Sequence, residues 1–477
     1  MSATVEPASF RDPSSTVFYA DGEVYRGLGD VAAGDWKALT DTSFFPRALK
    51  DGRVVGTEVL SGEAGQSLGE LPRPWPVVLK HERIPFISYP YEWTFSQLRD
   101  AAILHLDLLA EALDEGLTMK DGYAYNVQWR GAQPTFIDVP SFERSSGGPW
   151  AGYRQFCQTF LFPLMIQAHR EIPFRPWLRG QIDGIDPQQA RAMFGGRDAL
   201  RKGVLKHVIL HSAMDTKMSG NKEGSEAFKK ELSESGFSSD LTKATIKAIR
   251  KLVGQLTYKA ADSHWETYQK TSTYTDEERA VKAAFVDSAL AAWALTGTAG
   301  KLGLVWDMGC NDGTYSRLAV KHADSVVAVD GDEQTIDSLY RALKQERNKK
   351  ILPLVMNLTD PSPGIGWRGT ERLPFESRRK PDAILCLALV HHLALTANVP
   401  LPQILDWYAS FGSRLVIEWV DPTDPMGKRL LSLKPAGTFP DYRAEVFQRL
   451  LEERFVIDRQ EQLASGTRTL YAATPRA

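Results

Sequence analysis

Cysteine is scarce in this 477-residue chain: Cys157, Cys310 and Cys386 are the only three. Scattered singly and without metal-ligand spacing, they exclude a disulfide framework, give no reason to expect a metal centre, and fit a reducing compartment. An excess of one charge is lacking too, since 57 Lys and Arg stand against 59 Asp and Glu, a formal net charge of −2. Holding duplex DNA by phosphate neutralisation needs a clustered basic excess, so no duplex DNA partner is expected. Long hydrophobic runs are missing. The longest, Ala383 to Leu395, is interrupted by His391 and His392 and is too short to span a bilayer. The opening Met1-Ser2-Ala3-Thr4-Val5-Glu6-Pro7 has no basic segment leading into an apolar one, so no secretory signal is expected. What is present is a 43% hydrophobic chain with ample material for cores. Its length predicts two or three domains of a cytoplasmic protein.

The first half reads as small β elements followed by helices. Asp21-Gly22 between Val17–Ala20 and Glu23–Tyr25 suits a two-residue hairpin turn. Further β-like runs are Val54-Val55, Val77–Leu79 and Pro85–Ile87, and Thr94-Phe95-Ser96-Gln97 is a capping box opening a helix that Gly116 closes. An aromatic, helical stretch runs from Trp150 to Gly195. The polar section from Met214 to Lys251 reads as exposed helices with solvent-facing charge rather than as core. A second capping box, Thr275 to Glu278, precedes a helix whose apolar positions are Val281, Ala284, Phe285, Ala289 and Ala292. Beyond Lys301, strands at Leu304–Asp307, Ser325–Asp330, Ile351–Met356, Ala383–Leu387 and Arg414–Trp419 alternate mostly with helices. That alternation predicts an α/β, doubly wound, Rossmann-like parallel sheet. The expected division is an N-terminal α+β domain over 1–200, a helical linker over 201–262 and the doubly wound domain over 263–477.

The most informative segment is Asp307-Met308-Gly309-Cys310-Asn311-Asp312-Gly313, a strand-to-helix turn where glycines let backbone N–H groups converge on a ligand. Asp307 and Asp312 flank the turn where a dinucleotide would place its pyrophosphate. Two carboxylates would repel that group, and they suit a ligand carrying an ammonium and a sulfonium. Asp330 ends the next strand, where a carboxylate can accept ribose hydroxyls, and Asn357 follows the third strand, where a side-chain amide can read an adenine edge. One nucleoside with a cationic tail satisfies all three.

These residues resemble class I S-adenosylmethionine-dependent methyltransferases, over roughly Ser263 to the C-terminus. The resemblance implies S-adenosyl-L-methionine as cofactor, with Asp307, Gly309, Asn311 and Gly313 at its methionine part, Asp330 on the ribose and Asn357 by the adenine. Asn311 replaces the middle glycine of the family pattern, and asparagine is the non-glycine residue most tolerant of left-handed geometry. Ser263-His264-Trp265-Glu266-Thr267-Tyr268, with Tyr274, Lys282 and Phe285-Val286, resembles a segment preceding the first strand in a bacterial subgroup associated with nodulation proteins. Methyl transfer from a sulfonium asks mainly for in-line positioning, plus a base where the acceptor is a hydroxyl. Candidate catalytic residues at the strand ends are His391, His392 and Glu418, whereas Lys282 reads as a solvated helix residue. The acceptor, a small molecule or glycan, is expected between Trp265, Tyr268, the two histidines and Glu418.

In the first half, Asp121, Asn126 and Asp138 resemble the catalytic and metal-binding loops of kinase-like phosphotransferases, where the first Asp is the base and the others hold magnesium. Met119-Lys120 replaces the usual His-Arg or His-Gly, and Gly27-Leu28-Gly29 is too slight for a glycine-rich phosphate loop. Two alternatives to a simple methyltransferase therefore stand: a bifunctional kinase-methyltransferase acting on a glycan or small molecule, and a cofactor-binding sensor or scaffold without activity.

Overall fold

The computed structural model describes residues 3–60, 74–219, 239–258 and 274–476. Trp265, Tyr268 and their neighbours in the segment preceding the first strand lie outside the described residues. The chain divides into two compact units. One comprises Met1–Trp129, Pro134–Lys259 and Gly364–Leu373, and the other Arg130–Gln133, Ala260–Pro363 and Pro374–Ala477.

The first unit is α+β. Five antiparallel strands, β1 (Thr4–Val5), β2 (Ser15–Ala20), β3 (Glu23–Leu28), β4 (Thr57–Val59) and β5 (Val77–His81), form a sheet in the order β1-β2-β3-β5-β4. The β2–β3 hairpin turns on Asp21 (φ 52°) and Gly22 (φ 80°), as its Asp-Gly pair predicts. Gly27 lies within β3 beneath Trp75, whose ring a Cβ would meet at 2.3 Å, so close packing accounts for this glycine. Val54-Val55 and Pro85–Ile87 are not strands. Val54 makes a single bridge to Phe136, and the Pro85 segment, with an imide in place of an N–H, stays irregular. Helices Asp30–Thr40 and Phe44–Lys50 intervene before β4.

The helix Phe95–Asp114 begins with the expected capping box, in which Gln97 N donates to Thr94 Oγ1 (3.2 Å) and Thr94 N to Gln97 Oε1 (2.9 Å). It packs against the helix Ser239–Gln255. That second helix corrects the reading of its region as wholly solvent-facing: Ile246, Ile249, Leu252 and Val253 are buried, while Lys243 and Arg250 pair with Asp114 and Asp107. Its charges lie on one stripe and its aliphatic residues on the other. Short strands follow the first helix: β6 (Leu117–Met119), β7 (Val127–Arg130), β8 (Gln133–Phe136) and β9 (Phe142–Arg144), paired β6–β9 and β7–β8.

The second unit is built on a seven-stranded sheet of β10 (Leu302–Met308), β11 (Ala323–Asp330), β12 (Ile351–Val355), β13 (Ala383–Cys386), β14 (Arg414–Val420), β15 (Phe455–Gln462) and β16 (Arg468–Pro475). Its order is β12-β11-β10-β13-β14-β16-β15, with the first five strands parallel and β16 antiparallel to both neighbours. β12 and β13 are buried at every residue, as strands covered on both faces must be. The chain reverses from β11–β12 on one side of β10 to β13–β14 on the other, opening a crevice at the carboxyl ends of the strands.

Candidate active site

Each expected cofactor residue lies at that end of the sheet. After Asp307, the backbone is left-handed at Gly309 (φ 78°), Asn311 (φ 51°) and Gly313 (φ 77°), and the helix Thr314–Ala319 starts immediately. Asn311 thus takes the conformation a middle glycine would take. A Cβ on Gly313 would lie 2.8 Å from Leu339, and one on Gly309 would lie 3.3 Å from Leu389, so the turn is close-packed as well as left-handed. The N–H groups of Gly309 and Cys310 both donate to Val329 O (2.8 and 3.0 Å), tying the turn to β11.

The two acids differ in their work. Asp307 is buried, accepts the Ser316 hydroxyl at 2.6 Å, and has its pKa pushed up to about 6 chiefly by burial. Asp312 instead accepts from Thr314 N (3.1 Å) and Thr314 Oγ1 (2.7 Å), supporting the helix start. Asp330 accepts Asp332 N (3.0 Å) on one oxygen and Asn311 N (3.1 Å) on the other, with a further backbone bond from Gly331, which fixes its orientation and still leaves the carboxylate some accepting capacity. Burial raises its pKa, and the backbone N–H groups oppose that rise. Asn357 is exposed and uses Oδ1 in a turn, accepting Thr359 N (3.0 Å) and Thr359 Oγ1 (2.8 Å), so its amide nitrogen is the group left to face a ligand.

Glu418, on β14, is fully buried. Its carboxylate receives Lys282 Nζ (2.7 Å), Arg468 Nη1 (3.3 Å), Tyr274 OH (2.5 Å) and the backbone N–H of Ala388 (2.8 Å). Burial pushes this carboxyl up, but Lys282 and Arg468, with the hydrogen bonds from Lys282 and Tyr274, outweigh it and leave the pKa below the ordinary carboxylate value. Ala388 is left-handed (φ 50°) directly beyond β13, a conformation costly for alanine, and the Glu418 bond holds it there. Arg468 also grips Asp424 with two nitrogens (2.9 and 3.1 Å).

Lys282 is 4% exposed, not solvated. The helix Asp276–Ala294 buries Glu278, Lys282, Phe285, Val286, Ala289 and Leu290, while Val281, Ala284 and Ala292 face outward. The apolar stripe read from the sequence is thus rotated, and the lysine sits on the inner face because Glu418 and the rings of Tyr274 and Tyr315 receive its ammonium. Arg468, Tyr274 and Lys282 are the members of this cluster that sequence reasoning did not place in the site. Their pairing bridges residues remote in the chain, and no local pattern encodes it.

His391 and His392 follow the strained Ala388 turn, their rings 4.2 Å apart. His391 is completely buried and neither ring nitrogen has a hydrogen-bond partner. His392 is partly accessible and opens a π-helical turn, His392–Thr396. Burial holds both imidazoles below the ordinary histidine pKa, His391 well below it, so both are neutral near pH 7.

In the first unit the β7–β8 hairpin returns Asp138 to Asn126, whose Nδ2 lies 3.4 Å from Asp138 Oδ2. Arg26 Nη1 pairs with Asp138 Oδ1 at 2.6 Å. Asp121 has a raised pKa, from burial first and the charge of Asp138 second. These three residues therefore share one locality, with a guanidinium seated on the last of them.

The strand order, the left-handed turn and the buried acids define the second unit as a class I methyltransferase fold. Nodulation protein NoeA of Rhizobium meliloti (strain 1021) is 30% identical over 470 residues, which cover 97% of this chain and 94% of that protein. The chain belongs to the family of this nodulation protein. No family model matches it. Among solved structures, N-methyltransferase NodS from Bradyrhizobium japonicum WM9 is 13% identical, covering 42% of this chain and 98% of that one with a TM-score of 0.29. Magnesium protoporphyrin IX methyltransferase (ChlM) from Synechocystis PCC 6803, with bound SAH, is 17% identical, covering 46% and 90% with a TM-score of 0.29. The fold assignment rests on the strand order itself.

Proposed function

We propose that the protein is a cytoplasmic S-adenosyl-L-methionine-dependent methyltransferase acting on an oxygen or nitrogen nucleophile of a small-molecule or glycan acceptor. The observation that carries this reading is the Asp307–Gly313 turn facing Asp330 across the strand ends. It joins a buried acid suited to the cofactor's ammonium to a fixed carboxylate that keeps accepting capacity for a ribose hydroxyl. The residues fit the cofactor: with three left-handed positions the backbone could approach it closely, and Asn357 keeps an amide nitrogen that would serve the adenine. When bound, the cofactor supplies an already activated methyl group.

The chain's own residues then position the acceptor and hold its proton. Among the candidate bases, His392 is neutral and partly accessible, so it is the group we assign to accept a hydroxyl or ammonium proton. His391 packs behind it. Glu418, ionised and bonded on both oxygens, acts as a positioning residue that fixes the Ala388 turn and, through it, the histidine pair. The test is transfer of labelled methyl from S-adenosylmethionine to an extract of a strain lacking the protein, with mass identification of the product. A labelled species that depends on the added protein supports the reading, whereas tight cofactor binding with no transfer supports a sensor or scaffold.

A second reading draws on Asp121, Asn126 and Asp138. Their convergence favours a phosphotransfer site in the first unit, and the Arg26–Asp138 ion pair favours an inactive descendant of one. ADP release from ATP and magnesium, abolished in Asp138→Ala, would establish activity. No ATP binding and no ADP release would remove it.

A further inference from the structure

The first unit contains a cavity of about 730 Å³ that methyl transfer leaves unused. Its wall comes from Tyr123 after β6, from the segment Ala151–Gln158 and from the loop Gln181–Asp186. The helix Tyr153–Phe156 widens into a π-helical turn, Cys157–Leu161, a rare element frequent at functional sites. Gln158 stands on that turn, 5% exposed yet lining the cavity. The facing loop is locked to it: Ile185 N donates to Gln158 O (3.0 Å), and a Cβ on Gly184 (φ 82°) would lie 2.4 Å from the same oxygen. Gln155 is fixed as well, accepting the Gly122 N–H at 2.8 Å and bonding to the Asp121 carboxylate. The wall is therefore pre-formed, which lowers the ordering cost of binding.

Its chemistry narrows the ligand. The charges are largely matched within the wall: Arg154 serves Asp186 (3.2 Å), Asp215 (2.9 Å) and Gln158 Oε1 (3.1 Å), and Tyr123 OH donates to Asp183 (3.3 Å). An anion would meet two carboxylates and an arginine already committed. A drug-like apolar ligand would want an apolar wall, and here only Ala151 and Ile182 offer aliphatic side chains. What stands out is three carboxamides, Gln155, Gln158 and Gln181. Gln155 spends its amide on Gly122 and Asp121 and Gln158 Oε1 accepts from Arg154, which leaves the Gln158 amide N–H groups and the Gln181 carboxamide, with its acceptor and two donors, for adjacent hydroxyls.

We propose that this cavity binds a neutral polyhydroxylated ligand, a saccharide unit, with Gln158 and Gln181 on its hydroxyls and Tyr123 supplying an aromatic wall. The inference stands apart from the methyl-transfer reading, since every residue it uses lies in the first unit. The test applies the full chain to an array of neutral mono- to tetrasaccharides and measures the retained ones by calorimetry, alongside spermidine and inorganic phosphate. The expected result is saccharide binding that falls about tenfold or more, about 1.4 kcal/mol, in both Tyr123→Ala and Gln181→Ala at unchanged melting temperature. Gln181 is exposed, so its variant keeps the test readable if Tyr123→Ala is unstable. Retention of no saccharide, affinities unaltered in both variants, or variant-sensitive binding of spermidine or phosphate alone would each overturn the proposal.

Discussion

Lys282 Nζ lies 2.7 Å from Glu418 Oε2, both side chains buried, and this pair underlies the backbone of the candidate active site. Replacing Glu418 strips the buried Lys282 ammonium of its carboxylate, and replacing Lys282 takes from Glu418 its nearer cation and leaves it the longer Arg468 contact, changes that cost up to about 3–5 kcal/mol. Lys282→Met should therefore lower the melting temperature substantially. Adding Glu418→Gln to it should cost less than the sum of the two single changes. Thermal unfolding across the four proteins of that cycle measures the coupling, and strict additivity would show that the pair does not act as a unit.

Asp307 gives a pH dependence with a defined sign. Its pKa of about 6 in the folded chain lies above the ordinary aspartate value, so the folded state binds the proton more tightly. By itself this group lowers stability as pH rises from about 4 to about 6. A ligand ammonium favours the carboxylate, so cofactor affinity should strengthen through the same range and level off above it. S-adenosylhomocysteine titrations between pH 5 and 8 test this, and Asp307→Asn should flatten the profile. A wild-type profile already flat through pH 6 would count against the role assigned to Asp307.

The two outer left-handed positions should respond differently from the middle one. Gly313→Ala places a Cβ 2.8 Å from Leu339 at φ 77°, combining steric contact with a backbone penalty of about 1–2 kcal/mol. Asn311→Gly removes a side chain from a position already at φ 51° and should keep cofactor affinity within about threefold, below 1 kcal/mol. Loss of binding in Asn311→Gly would mean that the asparagine side chain, not its conformation, matters.

His392→Gln should reduce methyl transfer by about 10²–10⁴-fold while leaving S-adenosylhomocysteine affinity unchanged, the range typical of losing a general base. Turnover in single-turnover assays at several pH values separates this from a packing defect. A base lost leaves a slow, pH-flat reaction, whereas a packing defect lowers the melting temperature and cofactor affinity as well.

Much of the second unit was legible because its signals are local. Five strands read as apolar runs, strand ends place the glycine turn and Asp330, and the Thr275–Glu278 capping box forms as written, as does the Thr94–Gln97 box of the first unit. The pair β15–β16 was not, since β15 is largely exposed and its polar sequence looks like surface. Lys282 was misread for a related reason: a lysine on an amphipathic helix normally faces water, and the partner that reverses this is on a distant strand. The same limit applies to the Arg468–Asp424 contact and to the wall of the saccharide cavity. The helices Asp30–Thr40 and Phe44–Lys50 are masked in the sequence by the short β-like runs on either side.

The central claim is that Asp330 and the Gly309 turn hold a nucleoside with a cationic tail. Calorimetry of S-adenosylhomocysteine binding to wild type, Asp330→Ala and Gly309→Arg tests it most directly. The account predicts measurable binding to wild type and its loss in both variants, each still folded by thermal unfolding. No binding to wild type, or equal affinity in all three proteins, would contradict it.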